Sequence, residues 1–306
     1  MNNLEIIENL KEDLPETVAV IGYGSGIYKQ TGYDALEKPD KDVIVVVDDF
    51  KQFLISDYEQ NAHHFSKGFD KSKLLRKKES DNFYSNIGCL KFNHNNIHFK
   101  AMVVSRKALE QDLKTWKFFG MAGRLTKPIL YQNIPEELEK AIQRNRENIL
   151  ITALLFNDND VLTLTELYNT ISNLTYLYDF RTILPGEKKS KATDIVSGAY
   201  DFFDTTYGQS KLITSSSQYI LNPHPIEFVG QLPDNIRIYL MNYLKDYNLD
   251  NMSKEELEKI SHIIKKYFRK TNFINSIRLA ISSSSTLGRE ETIKHGLSKV
   301  KRHFLK

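Results

Sequence analysis

The sequence predicts an α/β domain in the first 130 residues, followed by a mostly helical remainder that ends in a basic segment. Two observations predict the first part. An apolar strand runs into a glycine-rich loop at 22–26, and a run of β-branched residues follows at 43–47. The third observation is a long stretch with helical spacing at 135–156, after which helical segments continue to about residue 208. At 306 residues, the chain is longer than one hydrophobic core usually serves, which favours more than one domain.

Three stretches are predicted as structural units, namely 1–130, 131–210 and 211–306. Glycine, serine and proline cluster at 208–225, a composition that is typical of a linker. Ser253 and Glu256 form a capping-box pattern, which predicts that a helix begins there. Four serines at 282–285 are expected to break the chain before a last basic segment.

The composition excludes several classes of protein. No apolar run approaches the roughly 18–20 residues that are needed to cross a bilayer. Cys89 is the single cysteine, which excludes an internal disulfide and a cysteine-rich zinc site. The N-terminal residues are acidic and resemble neither a secretory signal nor an arginine-rich transit peptide, so we expect a cytoplasmic protein.

Charge is distributed unevenly along the chain. Residues 259–306 contain twelve Lys or Arg and two acids, a formal charge of +10, which leaves −7 on the first 258 residues out of a total of +3. A basic end on an acidic body indicates contact with an anionic surface, either lipid or nucleic acid, although a solvated helical face would show the same pattern.

The loop at 22–26 has a backbone that can approach phosphate groups closely. A dinucleotide-binding fold uses such a loop, and Asp48 or Asp49 would suit its ribose contact, but Ile27 and Tyr28 stand where its third glycine belongs. A nucleotidyltransferase fold instead places a Gly-Ser turn under the triphosphate and an acid on the next strand. We favour this second fold, and a tight turn beside a solvated aspartate remains the plain structural alternative.

Asp42 begins the β-branched strand and is our candidate ligand for Mg²⁺. Attack on an α-phosphorus develops charge on the entering and leaving oxygens, and Mg²⁺ held by hard carboxylate oxygens neutralises that charge. The usual signature has two acids around one apolar residue. Here Asp40 and Asp42 flank Lys41, so Asp40 is a weaker candidate for a second ligand.

Six ordered motifs over residues 20–195 resemble those of a known family. The matching stretches are 22–30, 42–49, 61–66, 99–105, 112–128 (with its Asp-Leu-x-x-Trp and Ala-Gly-Arg-Leu-x-Lys-Pro patterns) and 175–191. The family is that of the mitochondrial-type phosphatidate cytidylyltransferases, the peripheral CDP-diacylglycerol synthases of the translocator assembly and maintenance family. Beyond residue 200 the resemblance is thin. Tyr178 replaces a family glycine, and Thr182 stands where methionine is usual.

The resemblance implies a Mg²⁺-dependent reaction of CTP with phosphatidate that gives CDP-diacylglycerol and pyrophosphate. It implies a nucleotidyltransferase domain (a mixed sheet with flanking helices), then a helical, winged-helix-like domain and a basic segment that touches an anionic membrane surface. Together with the N-terminal composition, it indicates a bacterial member that lies on the inner face of the membrane. Nucleic acid is not an expected partner.

The candidate site residues combine chemistry with the family motifs. We predict that Asp42, Lys127 and Asp179 are catalytic and that Asp42 and Asp40 hold the metal. The predicted nucleotide-binding residues are Tyr23, Gly24, Ser25, Gly26, Lys100 and Arg124. The predicted phosphate-binding residues on the phosphatidate side are His64, Arg181 and Lys191. Arginine offers a planar fork for two oxygens and lysine a compact charge, which suits phosphate.

Two other functions stay open on sequence grounds. One is a soluble nucleotidyltransferase that modifies RNA, a small molecule or a protein, and it would be active without lipid. The other is an inactive protein that binds lipid or nucleic acid, and CTP with Mg²⁺ would fail to stabilise it. The intact glycine loop and Asp42 argue against the inactive protein.

Overall fold

A five-stranded mixed sheet organises the first part of the chain. The computed structural model describes residues 2–28, 39–65, 69–72, 83–180, 190–216, 219–245 and 253–287. Its first five strands are β1 (Ala19–Tyr23), β2 (Lys41–Val47), β3 (Ile87–His94), β4 (Ile97–Ser105) and β5 (Ile129–Leu130). They lie in the order β3-β4-β2-β1-β5, in which β2 and β4 run parallel and the other neighbours run antiparallel.

Helices surround this sheet and make up most of the rest of the described chain. They are α1 (Asn3–Asp13), α2 (Phe50–Gln60), α3 (Arg106–Thr115), α4 (Ala122–Leu125), α5 (Glu136–Phe156), α6 (Leu164–Leu174), α7 (Lys191–Gly198), α8 (Tyr200–Phe203), α9 (Asp234–Leu244) and α10 (Lys254–Leu287). A second, antiparallel sheet joins β6 (Val161–Thr163), β8 (Tyr219–Leu221) and β7 (Thr214–Ser216), in that order.

The two faces of the large sheet belong to different apolar cores, because alternate residues of a strand point to opposite faces. Val20 and Val45 join Leu10 and Leu54 of α1 and α2 in one core. Side chains of the opposite face join a larger core that reaches from Ala19 to Leu279 and includes α5, α6 and α10. The predicted boundaries at 130 and 210 stay predictions.

The mixed sheet with flanking helices and the helical remainder are confirmed, and the helix expected at 135–156 is α5. Two expectations are wrong. The stretch 208–225 contains β7 and β8 instead of a linker without strands, and β8 pairs with both β7 and β6. The serines at 282–285 do not break the chain, because α10 continues to Leu287. The Ser282 hydroxyl bonds the carbonyls of Tyr84 (2.7 Å) and Ile87 (2.9 Å), so a partner outside the helix stabilises this turn.

Helix α3 ends at Thr115, because Trp116 adopts a left-handed backbone with φ 51°. Trp116 is fully buried, and its indole N–H donates to Asn145 Oδ1 at 2.7 Å. Within the described residues, no helix combines the length and the apolar character required to cross a bilayer.

Candidate active site

Four polar residues form one row across the large sheet. Tyr23 of β1 pairs with Asp42 of β2, Asp42 pairs with Lys100 of β4, and Lys100 pairs with Lys91 of β3. Since directly paired residues point to the same face, these side chains all lie on the face that carries Ile44 and Met102. The apolar face of the sheet therefore ends in a polar row that holds one carboxylate and two ammonium groups.

Asp42 is the electrostatic centre of this row. Burial raises the pKa of its carboxyl. The positive charges of Lys100 and Arg124, and to a smaller extent that of Lys191, oppose the rise. The same neighbourhood raises the pKa of Tyr23, first through burial and then through the negative charge of Asp42. Cations from β4, α4 and α7 thus converge on a single partly buried carboxylate.

The glycine loop passes directly over Asp42. Gly24 has φ +75°, and a Cβ atom there would lie 3.0 Å from Asp42 Oδ2. A Cβ atom on Gly26 would lie only 2.2 Å from the carbonyl oxygen of Asp40. Both glycines are therefore required by close approach, the first to the carboxylate and the second to the strand backbone.

The backbone of this loop is partly available to a ligand. The carbonyl of Gly24 accepts from the N–H groups of Ile27 (3.1 Å) and Tyr28 (2.9 Å), which closes the turn. In the described part of the chain, the N–H groups of Ser25 and Gly26 meet no acceptor. Two adjacent N–H donors near a carboxylate and several cations are a suitable cradle for phosphate oxygens.

Lys41 has a structural role that explains the cation between Asp40 and Asp42. Its ammonium group donates to Asn3 Oδ1 at 2.8 Å and to the carbonyl of Gly26. It therefore ties the glycine loop to the start of α1, on the opposite side of the strand from Asp42. Partial burial lowers the pKa of this lysine.

Arg124 lies in α4 and Lys127 just after it, and the charge of Arg124 acts on Asp42. Arg124 Nη1 donates to the carbonyl of Gly120, and this hydrogen bond fixes the position of the guanidinium group. The ammonium of Lys127 lies 3.9 Å from the centre of the Tyr176 ring, close enough for a cation–π contact. Tyr176 follows α6, so the helical part of the chain supports a predicted catalytic lysine.

Asp179 is buried in the turn after α6, where its N–H donates to the carbonyl of Tyr176 at 3.1 Å. Asp179 therefore lies three residues after Tyr176, the residue whose ring contacts Lys127. A direct contact between Asp179 and the metal stays a prediction. Tyr178, which replaces a family glycine, has φ 59°, in the left-handed region where glycine is favoured. The guanidinium of Arg269 covers its ring at 5.4 Å. Arg181 lies outside the described residues.

His64 is placed away from the other candidates. It is buried on the opposite face of the sheet, where its ring stacks on Phe92 at a centroid distance of 3.9 Å. Its Nδ1 meets both oxygens of the buried Asp57 at 3.0 and 3.1 Å. This arrangement favours a structural role for the histidine, and phosphate binding by His64 stays a prediction.

Sequence reasoning missed Lys91 and Tyr176. Lys91 lies directly beside Lys100 across two antiparallel strands, a like-charge pair that is unfavourable without a nearby anion. Lys91 is two residues from the core residue Cys89, and this spacing on a strand could have indicated that the two side chains share a face. Nothing in the spacing of Tyr176 indicates that its ring supports Lys127.

Metal binding at this site would depend on the substrate. Among the residues that the structure describes, no group of three or more His, Cys, Asp or Glu side chains is arranged to hold a metal ion. Mg²⁺ commonly binds through one or two carboxylates together with substrate phosphates. Asp42 and the exposed Asp40, whose charge acts on Asp42, fit that smaller donor set.

The chain is similar to proteins of one kind. A sequence model of the family described as "Phosphatidate cytidylyltransferase, mitochondrial" matches residues 5–302. A protein of that name from Schizosaccharomyces pombe is 32% identical over 213 residues, which cover 65% of this chain and 53% of that protein. A Caenorhabditis briggsae protein of that name is 30% identical over 255 residues, 76% of this chain and 77% of that protein.

A Mus musculus protein with the same name is 29% identical over 232 residues, which cover 72% of this chain and 64% of that protein. The matched part therefore spans about half to three quarters of the length of these relatives. The family model covers nearly the whole of this chain, including the glycine loop, Asp42 and the turn that carries Arg124. The chain therefore belongs to the family of mitochondrial-type phosphatidate cytidylyltransferases.

Proposed function

We propose that this protein transfers the cytidylyl group of CTP to phosphatidate, which gives CDP-diacylglycerol and pyrophosphate. The observation that carries the proposal is the convergence of Lys100, Arg124 and Lys191 on Asp42, directly under the glycine loop. Such an arrangement suits a polyphosphate and a metal. Membership of a family whose relatives bear this name supports the choice of substrates.

In the proposed reaction, a phosphate oxygen of phosphatidate attacks the α-phosphorus of CTP. The bond from the α-phosphorus to the oxygen that bridges to the β-phosphorus breaks, and pyrophosphate leaves. The nucleophile is already ionised at neutral pH, so no strong general base is required. Positioning and charge neutralisation are expected to supply most of the acceleration.

This chain's own residues divide that work. The N–H groups of Ser25 and Gly26 bind phosphate oxygens of CTP, and the nearby Lys100 and Arg124 compensate their charge. Lys191 and Lys127 approach from the helical side, where phosphatidate would enter. Asp42, with Asp40, would hold Mg²⁺, which when bound supplies Lewis-acid neutralisation of the phosphate oxygens.

We also propose that the first part of the chain is a nucleotidyltransferase domain and that the second sheet belongs to a winged-helix-like unit. For the first, the support is a strand, a Gly-Ser turn and an acid on the adjacent strand. For the second, it is the hairpin of β7 and β8, which pairs with β6 ahead of α6. A solved structure with CTP bound in the glycine loop would test both assignments.

A membrane surface is the proposed source of phosphatidate. The outer face of α10 exposes Lys266 and Lys270, followed by Phe273 and Ile281, a pattern that suits the interface of an anionic bilayer. The basic residues after 287 lie outside the described residues. The relatives described above are eukaryotic and are named as mitochondrial, so the bacterial source and the cytoplasmic location stay predictions.

The test is pyrophosphate release from CTP with Mg²⁺, with and without phosphatidate vesicles. We expect lipid-dependent release that falls at least about 1,000-fold in Asp42→Ala, because one carboxylate contributes to both metal binding and phosphate placement. Release without lipid would favour the soluble nucleotidyltransferase. A folded protein that binds CTP yet shows no lipid-dependent release would exclude phosphatidate as the substrate.

A further inference from the structure

The inner face of α10 carries buried polar side chains that hydrogen-bond to other segments. Most of the partners are backbone groups, and Asn275 Oδ1 also accepts from the Tyr84 hydroxyl. We call Tyr267, Asn272, Asn275 and Ser276 the α10 brace. All four are buried, with Asn272 6% and Asn275 5% exposed. A polar side chain is costly to bury unless its partners are fixed, so these contacts specify where α10 and its partner segments lie.

The first partner segment is 116–120, which leads into α4. The Tyr267 hydroxyl donates to the carbonyl of Trp116 at 2.7 Å, and the Asn275 amide donates to the carbonyl of Phe118. Leu279 of the same helix packs so closely on Gly120 that a Cβ atom there would lie 3.0 Å from it. Gly120 is the residue whose carbonyl accepts from Arg124, so α10 holds the support of that guanidinium.

The second partner segment is 174–180. The amide of Asn272 donates to the carbonyls of Leu174 (2.9 Å) and Leu177 (2.8 Å), and the hydroxyl of Ser276 accepts from the N–H of Phe180 at 3.1 Å. Tyr176 lies between these anchored positions and stacks against Lys127. The same helix therefore also holds the support of this lysine.

We propose that Asn272 and Asn275 are positioning residues for the transfer reaction. Asn275 acts on Arg124 through the segment 118–120, which it holds at Phe118 and whose Gly120 carbonyl accepts from Arg124. Asn272 acts on Lys127 through the segment 174–177, which carries Tyr176. The two asparagines are three residues apart on one helix face and fix the two cations relative to one another. The identity of the reaction in this proposal rests on the proposed function. The expected effect on CTP binding rests only on the role of Arg124.

A purely structural role would predict a different pattern of effects. Ser261 lies on the same helix and donates to the carbonyl of Phe156 at 2.6 Å, a contact of the same kind that leads to neither cation. Ser261→Ala is therefore the matched control. We expect it to leave CTP affinity and turnover unchanged.

The test is a pair of double-mutant cycles, with CTP affinity measured by calorimetry and turnover measured by pyrophosphate release. Asn275→Leu should weaken CTP binding about 10-fold, because a displacement near 1 Å of a phosphate-binding group has effects of this size or larger. In an Arg124→Lys background the same change should cost less than about 2-fold, because the two residues act as a unit. Asn272→Leu should lower turnover in the Arg124→Lys background as much as it does in the wild type. In a Lys127→Met background the same change should leave turnover unaltered.

Equal weakening by Asn275→Leu in both backgrounds would overturn the proposal, as would unchanged CTP affinity in a folded variant. If Asn275→Leu does not fold, Asn275→Ser passes through the same cycle with a smaller change in volume. CTP affinity is measured without lipid. If lipid-dependent release is absent, the proposed substrate is therefore excluded while the Arg124 cycle still decides the role of Asn275. A wild-type chain that binds no nucleoside triphosphate would overturn both proposals.

Discussion

Asp42 and Asp112 are both carboxylates whose pKa is raised, with burial as the main cause, but their surroundings differ in kind. Asp112 is fully buried and accepts from three backbone N–H groups, those of Phe119 (2.6 Å), Met121 (2.8 Å) and Ala122 (2.9 Å). Asp42 is partly exposed, and the charges that act on it belong to long side chains from separate elements.

The difference separates a structural carboxylate from the one for which we propose a functional role. Backbone N–H groups are fixed by the turn they form, so they satisfy Asp112 permanently and leave no room for a ligand. Lysine and arginine side chains can turn from a carboxylate to an incoming phosphate, so Asp42 keeps its capacity to bind a cation. The hydrogen bonds to Asp112 also fix the backbone at 119–122, which leads directly into Arg124.

The largest effect that sharpens this comparison is on stability. Asp112→Ala leaves three buried N–H groups without acceptors, and we expect a loss of about 3–5 kcal/mol in the free energy of unfolding. Asp42→Ala should change that free energy by less than about 1 kcal/mol. The Asp42 carboxyl is only partly buried, and its partial burial disfavours the ionised form, so the group contributes little to stability. Urea denaturation of both variants measures the difference, and equal losses would contradict the division into two kinds of carboxylate.

A smaller effect is expected from the glycine that faces Asp42. Gly24→Ala places a methyl group 3.0 Å from the Asp42 carboxylate on a backbone with φ +75°. We expect kcat/KM to fall about 10–100-fold through displacement of the loop and the carboxylate. Gly230→Ala is the control, because a Cβ atom there meets nothing within 4 Å. An unchanged rate in Gly24→Ala would remove the loop from the phosphate site.

The smallest effect is on the pH dependence of stability. Burial raises the folded pKa of Asp42 above the ordinary aspartate value of 3.8, so the folded state favours the protonated carboxyl. The stability contributed by this group is therefore present below pH 3.8 and is lost as the pH rises through the folded pKa. Relative to Asp42→Asn, the wild type should become less stable over that window in urea denaturation without metal or nucleotide. The opposite slope would mean that the surrounding cations outweigh burial.

The local patterns of the chain predicted its elements well where one face was clearly apolar. The β-branched run gave β2, the spacing at 135–156 gave α5, and the capping box at Ser253 begins α10. The errors occurred where partners distant in sequence decide. Ser282 continues a helix because Tyr84 and Ile87 supply acceptors. The stretch at 208–225 forms strands because β8 pairs with the distant β6 as well as with β7.

The sequence by itself determined the chemistry of the candidate site. The glycine loop and Asp42 were identifiable because close backbone approach and metal binding require particular residue types, and Arg124 and Lys127 became candidates through the family motif in which they stand. Only the tertiary structure decided which of them meet. Strand pairing placed Lys100 beside Asp42 and Lys91 beside Lys100 on one face, and packing against Phe92 put His64 on the other. Hydrogen bonds across about 100–160 residues placed α10 behind the segments that support Arg124 and Lys127. The physical reason is that register and helix docking depend on long-range partners, which local spacing does not encode.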